Sequence, residues 1–228
     1  FETMLGFSGN VKLLGYHLER IKSALKQLWM EVPEELEAVD RCAGIIRRLY
    51  EENNPGEFTK IKLQVWRKEG GTYLPHQNEC NVLVKMKATD KPQPGYKHKV
   101  SFSENVKNRW NQISKYKSVS ALQYVMAGIE MKLKQLDEII ITDTNDVISE
   151  CLVSNIFWVK DNTVYTPSLH TGCIDGVSRN FISEELEKRS IPFEEVKAPK
   201  SELMLADSIF CTNATGISHI LKLGDKMF

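Results

Sequence analysis

The stretch Thr89-Asp90-Lys91-Pro92-Gln93-Pro94-Gly95 places two prolines and a glycine among polar residues. Proline fixes φ and removes a backbone donor, so such a run neither continues a helix nor sits inside a sheet. It divides the 228 residues unevenly, and a chain of this length with 42% apolar residues buries a real core on each side. The expected organisation is a small lobe over residues 1–90, a linker over 91–96 and a larger lobe over 97–228.

Hydrophobic periodicity fills in both lobes. Phe1 to Leu14 reads as a hairpin around Ser8-Gly9-Asn10. Tyr16 to Met30 reads as a helix with Leu18, Ile21, Leu25 and Leu28 on one face. A second helix is expected from Glu34 to Glu52, with Leu36, Val39, Ala43, Ile46 and Leu49 as its stripe, stopped by Asn53-Asn54-Pro55-Gly56. Strands follow at Lys60–Arg67, Thr72–Leu74 and Asn81–Ala88. In the second lobe Ser120–Leu133 reads as a helix that turns Leu122, Val125, Met126, Ile129 and Leu133 inward. Short strands are expected at 138–141, 147–150, 155–160 and 163–165. A helix at Gly176–Arg189 and strands at 193–197, 208–211 and 217–223 complete the pattern. Strands and helices mix without a strict βαβ rhythm, which predicts an α+β fold with two lobes.

Several function classes drop out. Lys plus Arg equals Asp plus Glu, 30 of each, so no surplus of cations marks a nucleic-acid surface. No run of eighteen apolar residues predicts a membrane span, and no signal peptide opens the chain. Five cysteines, none in a CxxC pair, and scattered histidines without HExxH give neither a disulfide framework nor a metal motif, so no metal site is expected and a reducing cytoplasm is the default compartment. There is no GxGxxG, GxxxxGK[ST] or GxSxG. The chain begins and ends abruptly, and further residues are expected at both ends.

The informative stretch is Lys115 to Arg179. A pyridoxal phosphate enzyme needs a lysine amine for a Schiff base, an acid facing the pyridine nitrogen, and a phosphate cup. Thr171-Gly172-Cys173-Ile174-Asp175-Gly176-Val177-Ser178-Arg179 runs into a helix start, where N–H groups favour an anion. The plain alternative is a loop with Ser178 near an ordinary cap. Glu150 interrupts an apolar stretch, and a buried carboxylate needs a partner; a solvent-facing turn residue is the alternative. Lys115 and Lys117 precede a helix, as many surface lysines do.

Taken in order, these segments resemble the class IV aminotransferases, the group that includes branched-chain and D-amino acid aminotransferases and 4-amino-4-deoxychorismate lyases. Phe1-Glu2-Thr3-Met4 is similar to the strand after the family's Gly-Asp-Gly turn. His17-Leu18-Glu19-Arg20-Ile21 resembles its H-x-x-R-L helix, and Tyr116 to Leu122 its Schiff-base segment. Glu150 to Phe157 resembles E-x-x-x-S-N-[ILV]-F, and Gly172 to Arg179, after Thr166-Pro167, its phosphate loop. Thr212 to Ile217 resembles a turn that touches phosphate and substrate carboxylate.

The resemblance implies a fold type IV enzyme, with a small α/β N-terminal lobe and a larger lobe built on a barrel-like β core, that binds pyridoxal 5′-phosphate. Lys117, preferred to Lys115 by its distance from Leu122, would form the Schiff base and shuttle a proton, which requires a neutral amine of depressed pKa. Glu150 would face the ring nitrogen. Arg20, Val177, Ser178 and Asn213 would hold the phosphate. Arg67 on a small-lobe strand could bind a substrate carboxylate. The implied activity is transfer of an amino group between an amino acid and a 2-oxo acid. The alternatives are release of pyruvate and 4-aminobenzoate from 4-amino-4-deoxychorismate, and a non-catalytic relative. Gly216 stands where the aminotransferase branches usually carry Glu, and Ser120 where many members have Asn. A homodimer is implied by analogy.

Overall fold

The computed structural model describes residues 1–228, which divide into two compact units, Phe1–Pro92 and Gln93–Phe228. In the first, β1 (Glu2–Phe7) turns at Ser8 and Gly9 into β2 (Asn10–Val11), and α1 (Leu14–Gln27) and α2 (Val39–Asn53) follow. β3 (Phe58–Arg67) and β4 (Cys80–Ala88) close an antiparallel sheet of order β2-β1-β3-β4. Met4, Leu18, Ile21, Leu36, Cys42, Ile46, Ile61 and Leu63 form its core.

Two expectations fail in this unit. The helix expected from Glu34 is a 3-10 turn over Glu34–Leu36, an extended Ala38 and then α2. Leu36 and Cys42 are both buried. Six residues of continuous helix would set their side chains about 120° apart, so the break lets both reach one core. The expected strand at Thr72–Leu74 is an irregular loop in which Tyr73 and Leu74 are exposed and no partner strand lies alongside.

The second unit opens with β5 (Gly95–Lys97), which overlaps the end of the segment read as linker, and β6 (Val100–Asn108). Then come α3 (Leu122–Leu133), β7 (Glu138–Asp143), β8 (Ile148–Cys151), β9 (Asn155–Lys160), β10 (Thr163–Pro167) and α4 (Val177–Lys188). β11 (Phe193–Val196), α5 (Ser201–Leu205), β12 (Ser208–Asn213), β13 (Gly216–Ile220), β14 (Lys222–Leu223) and β15 (Lys226–Met227) complete it. One six-stranded sheet runs β11-β10-β9-β12-β13-β5, and a five-stranded sheet runs β15-β14-β6-β7-β8. The run expected as one strand at 217–223 is therefore shared between two sheets. Ile140, Ile148, Ile156, Trp158, Leu203, Ile209 and Ile220 pack into one core with residues of both sheets.

β6 escapes a pattern search because two of its buried positions are Ser103 and Asn108. α3 is rotated relative to its expected orientation. Leu122, Val125, Met126, Ile129 and Leu133 are exposed, while Ala127 and Glu130 are buried. The pairing of β6 with β7 is irregular between Phe102 and Lys107, and this bulge wraps the Glu130 carboxylate. Ser103 Oγ donates to it at 2.7 Å, Glu104 N at 2.9 Å and Asn105 N at 3.3 Å. Four donors to one carboxylate, Lys134 among them, outweigh the apolar stripe in setting the rotation. Lys134 Nζ also reaches Glu130, at 2.8 Å. No helix is long and apolar enough to cross a membrane.

Candidate active site

β8 ends Ile148-Ser149-Glu150-Cys151, all buried. β8 pairs with β7 on one side, which sets Glu150 opposite Ile141. The Glu150 carboxylate accepts from Asn108 Nδ2 at 2.7 Å and Tyr124 OH at 2.6 Å, both at Oε1, and from Ile174 N at 3.1 Å at Oε2. Burial raises its pKa above the ordinary carboxylate value, while these donors and the charge of Lys117 pull it back down. The opposing influences describe a carboxylate kept in a dry place by directed donors, suited to facing a cation. Tyr124 is held protonated, because burial and the Glu150 charge push its pKa far up, so the phenol remains a donor.

Lys117 lies half-buried in the irregular segment before α3, and its charge is felt at Glu150. The Lys115 side chain instead lies over the Tyr116 ring, 5.3 Å from its centroid, and the Lys115 carbonyl accepts from Asp175 N at 2.9 Å. That backbone bond ties the lysine segment to the loop before α4.

The loop itself is shaped by two glycines. Gly172 has φ 85°, and a Cβ there would meet the Arg109 carbonyl carbon at 2.8 Å; only glycine combines that φ with that approach. Gly176 precedes α4, and a Cβ there would stand 1.8 Å from Asn155 Oδ1. Asn155 Nδ2 in turn donates to Ile174 O at 2.7 Å. Arg179, buried under the loop, pairs with Glu195 at 2.7 Å and with Asp175 at 3.6 Å.

α4 starts at Val177 with no side-chain cap. Ser178 is not a capping serine: its hydroxyl donates to Asn213 O at 2.9 Å. The helix start is thereby joined to the β12–β13 turn, and its first turn carries neither an acidic residue nor a side-chain cap. The Asn213 side chain holds that turn. Its Oδ1 accepts from Thr215 N at 2.8 Å and Oγ1 at 2.6 Å, and its Nδ2 donates to Ser154 Oγ at 3.1 Å.

Arg20 belongs to the first unit. It hydrogen-bonds the buried Glu2 through Nε at 2.9 Å and through Nη2, and His17 Nδ1 stands 2.6 Å from Glu2 Oε2. Burial pushes the Glu2 pKa up, but His17 and Arg20 together hold it below the usual carboxylate range. Arg67 is not placed as a substrate ligand. Its guanidinium donates to Leu28 O at 2.6 Å, Trp29 O at 3.2 Å, Gln77 O at 3.0 Å and Asn78 Oδ1 at 2.5 Å, so it clamps the end of α1 to the β3–β4 loop.

Lys117, Glu150, Val177, Ser178 and Asn213 thus share the second unit, with Ser178 bonded to Asn213 and the Lys117 charge felt at Glu150. Sequence reading missed Asn108, Tyr124 and the Ile174 N–H. Asn108 and Tyr124 sit on β6 and α3, distant in the chain; a polar residue inside a strand could have flagged Asn108, and nothing in the sequence flags Tyr124. A pyridoxal phosphate would fit these groups: a buried carboxylate for the ring nitrogen, an amine nearby, and an uncapped helix start beside a glycine-lined loop.

The family model for amino-transferase class IV matches residues 1–223. The aminodeoxychorismate lyase of Bacillus subtilis is 26% identical over 217 residues, which covers 94% of this chain and 73% of that protein. A probable branched-chain-amino-acid aminotransferase of Rickettsia bellii is 28% identical over 224 residues, 95% of this chain and 73% of its own. Among solved structures, a branched-chain aminotransferase from Thermoproteus uzoniensis superposes with a TM-score of 0.86 at 19% identity, over 100% of this chain and 78% of that one. An aminotransferase from Brucella abortus, described as bound to the co-factor PLP, gives a TM-score of 0.86 at 18% identity, over 100% and 81%. The likeness to these structures shows the fold.

Proposed function

The chain belongs to the class IV aminotransferases, and from that premise we propose that it is a pyridoxal-phosphate-dependent aminotransferase that moves an amino group between an amino acid and a 2-oxo acid. The observation that carries this reading is the buried Glu150 carboxylate, held by three directed donors and sensing the charge of Lys117.

When bound, pyridoxal phosphate supplies an aldehyde that combines with amines and a protonated ring that withdraws electrons from the substrate Cα. The residues then divide the work. Glu150 would hold the proton on the ring nitrogen by charge and position. Lys117 would hold the cofactor through its amine and, as a free amine, would move a proton at the substrate Cα. The Val177 and Ser178 N–H groups would receive the phosphate, with Asn213 shaping the neighbouring turn. Gly172 and Gly176 keep the loop close enough for backbone contact.

Borohydride reduction of the cofactor-loaded protein, followed by mass mapping, tests the assignment. A pyridoxyl modification on Lys117 is expected, and its presence on Lys115 instead would overturn it. Incubation with amino acids is expected to yield the 2-oxo acids.

A second reading is the lyase, favoured by Gly216. Its φ is 133° and no atom lies within 4 Å of where a Cβ would stand, so the turn offers no carboxylate and leaves open space. Release of 4-aminobenzoate from 4-amino-4-deoxychorismate, without oxo-acid formation from amino acids, would select it. We also propose a homodimer working in a reducing cytoplasm. The five free cysteines and the outward apolar stripe of α3 support that reading. Sedimentation of the active enzyme as a monomer would refute the dimer.

A further inference from the structure

Glu138 opens β7, Cys151 closes β8 and Cys211 lies within β12. They are distant in sequence and come from two different sheets. The two Sγ atoms and one carboxylate oxygen all lie within 4.8 Å of one another. All three residues are buried, with 3%, 0% and 1% of their surface exposed. Each thiol shifts the pKa of the other, Cys151 upward and Cys211 downward. One Glu138 oxygen is fixed by Ile139 N and Leu152 N, both at 3.1 Å. The charge of Lys97 faces both Glu138 and Cys211.

We propose that Glu138, Cys151 and Cys211 form an enclosed site for a single thiophilic d10 cation, Zn2+ in the cell. A tetrahedral zinc sits about 2.3 Å from sulfur and about 2.0 Å from oxygen, so its ligand atoms stand roughly 3.5–3.8 Å apart. The three atoms reach that spacing by rotamer adjustments of about an ångström. Binding releases one proton from each thiol, and Glu138 enters as the carboxylate. Two thiolates and a carboxylate leave the zinc complex with one negative charge, which the Lys97 ammonium balances. Sulfur ligands select a soft cation over magnesium or calcium. All three residues are buried, which suits a structural rather than a catalytic zinc site.

The consequence is mechanical. Cys151 follows Glu150 directly, and Cys211 lies two residues before Asn213. Ser154 accepts from Asn213 Nδ2. A cation here pins the strand that carries the buried acid to the strand that leads into the Ser178-linked turn. An enclosed site is loaded while the chain folds, so the cation has to be present during synthesis or refolding.

The test uses the full chain expressed in zinc-supplemented medium and exchanged into chelator-treated buffer. Native mass spectrometry and elemental analysis are expected to find about one zinc per chain, with the Cys151→Ser/Cys211→Ser variant retaining about tenfold less. Glu138→Gln, which keeps both thiols, is expected to retain less zinc than the parent. Refolding the parent chain with Cd2+ is expected to produce a thiolate-to-metal charge-transfer band in the ultraviolet. The parent chain decides the matter even if the variants fail to fold. Metal-free protein from zinc medium together with no cadmium band overturns the proposal, as does a mass two hydrogens short of the thiol form, which would report a Cys151–Cys211 disulfide instead.

Discussion

The Tyr124 hydroxyl donates to Glu150 Oε1 at 2.6 Å, on the same oxygen that Asn108 holds at 2.7 Å. α3 and β6 thereby aim a carboxylate that neither of them carries. Tyr124→Phe removes one donor and keeps the ring. Glu150 already has a raised pKa, and losing a donor raises it further. The acid limb of the pH–rate profile is then expected to shift upward. The loss should fall on kcat more than on KM. A profile unchanged from the parent would show that Tyr124 does not hold the acid.

Gly176→Ala places a Cβ on Asn155 Oδ1. Asn155 has to swing away and release Ile174 O, loosening the loop before α4. Cofactor affinity is expected to fall by about tenfold or more, in line with a cost of about 1–3 kcal/mol for overpacking. Absorbance titration with pyridoxal phosphate measures it, and parental affinity would show that the loop does not form the cup.

Glu130 anchors α3 to the β6 bulge, and the pull of its donors against burial holds its pKa at about 2. A carboxylate with a depressed folded pKa stabilises above its unfolded value and loses that contribution as pH falls through the folded one. The contribution is therefore present above the ordinary 4.5 and disappears toward about 2. Glu130→Gln is expected to lower stability by about 1–3 kcal/mol at neutral pH. Urea midpoints of variant and parent should converge in acid; a constant difference across that window would contradict the assignment.

Arg67 fastens the α1 end to the β3–β4 loop through four acceptors. Arg67→Lys is expected to lower the melting temperature, with a cost of about 1–2 kcal/mol, and to leave KM for carboxylate substrates unchanged. A large rise in KM at constant melting temperature would restore the substrate role.

Much of the local structure was legible. The Ser8-Gly9-Asn10 hairpin, α1, β4 and α4 follow from turn residues and periodicity that packing reinforces. β6 was not, because Ser103 and Asn108 are polar residues placed inside. The stripe on α3 was read correctly as a stripe and wrongly as a core face, because periodicity says nothing about where the facing surface lies. The candidate site divides in the same way. Lys117, Glu150 and the 172–179 loop stand in one readable order, whereas Asn108 and Tyr124 have no signature of their own.

The order of residue types along the chain determined the family and the chemistry it can offer, since motif spacing is a property of the chain alone. Which face of α3 points outward, which donors hold Glu150, and the meeting of Cys151 with Cys211 were decided only when strands, α3 and loops distant in the chain packed together. Those relations depend on distances through space, and hydrogen bonds and burial act across such distances whatever the separation in sequence.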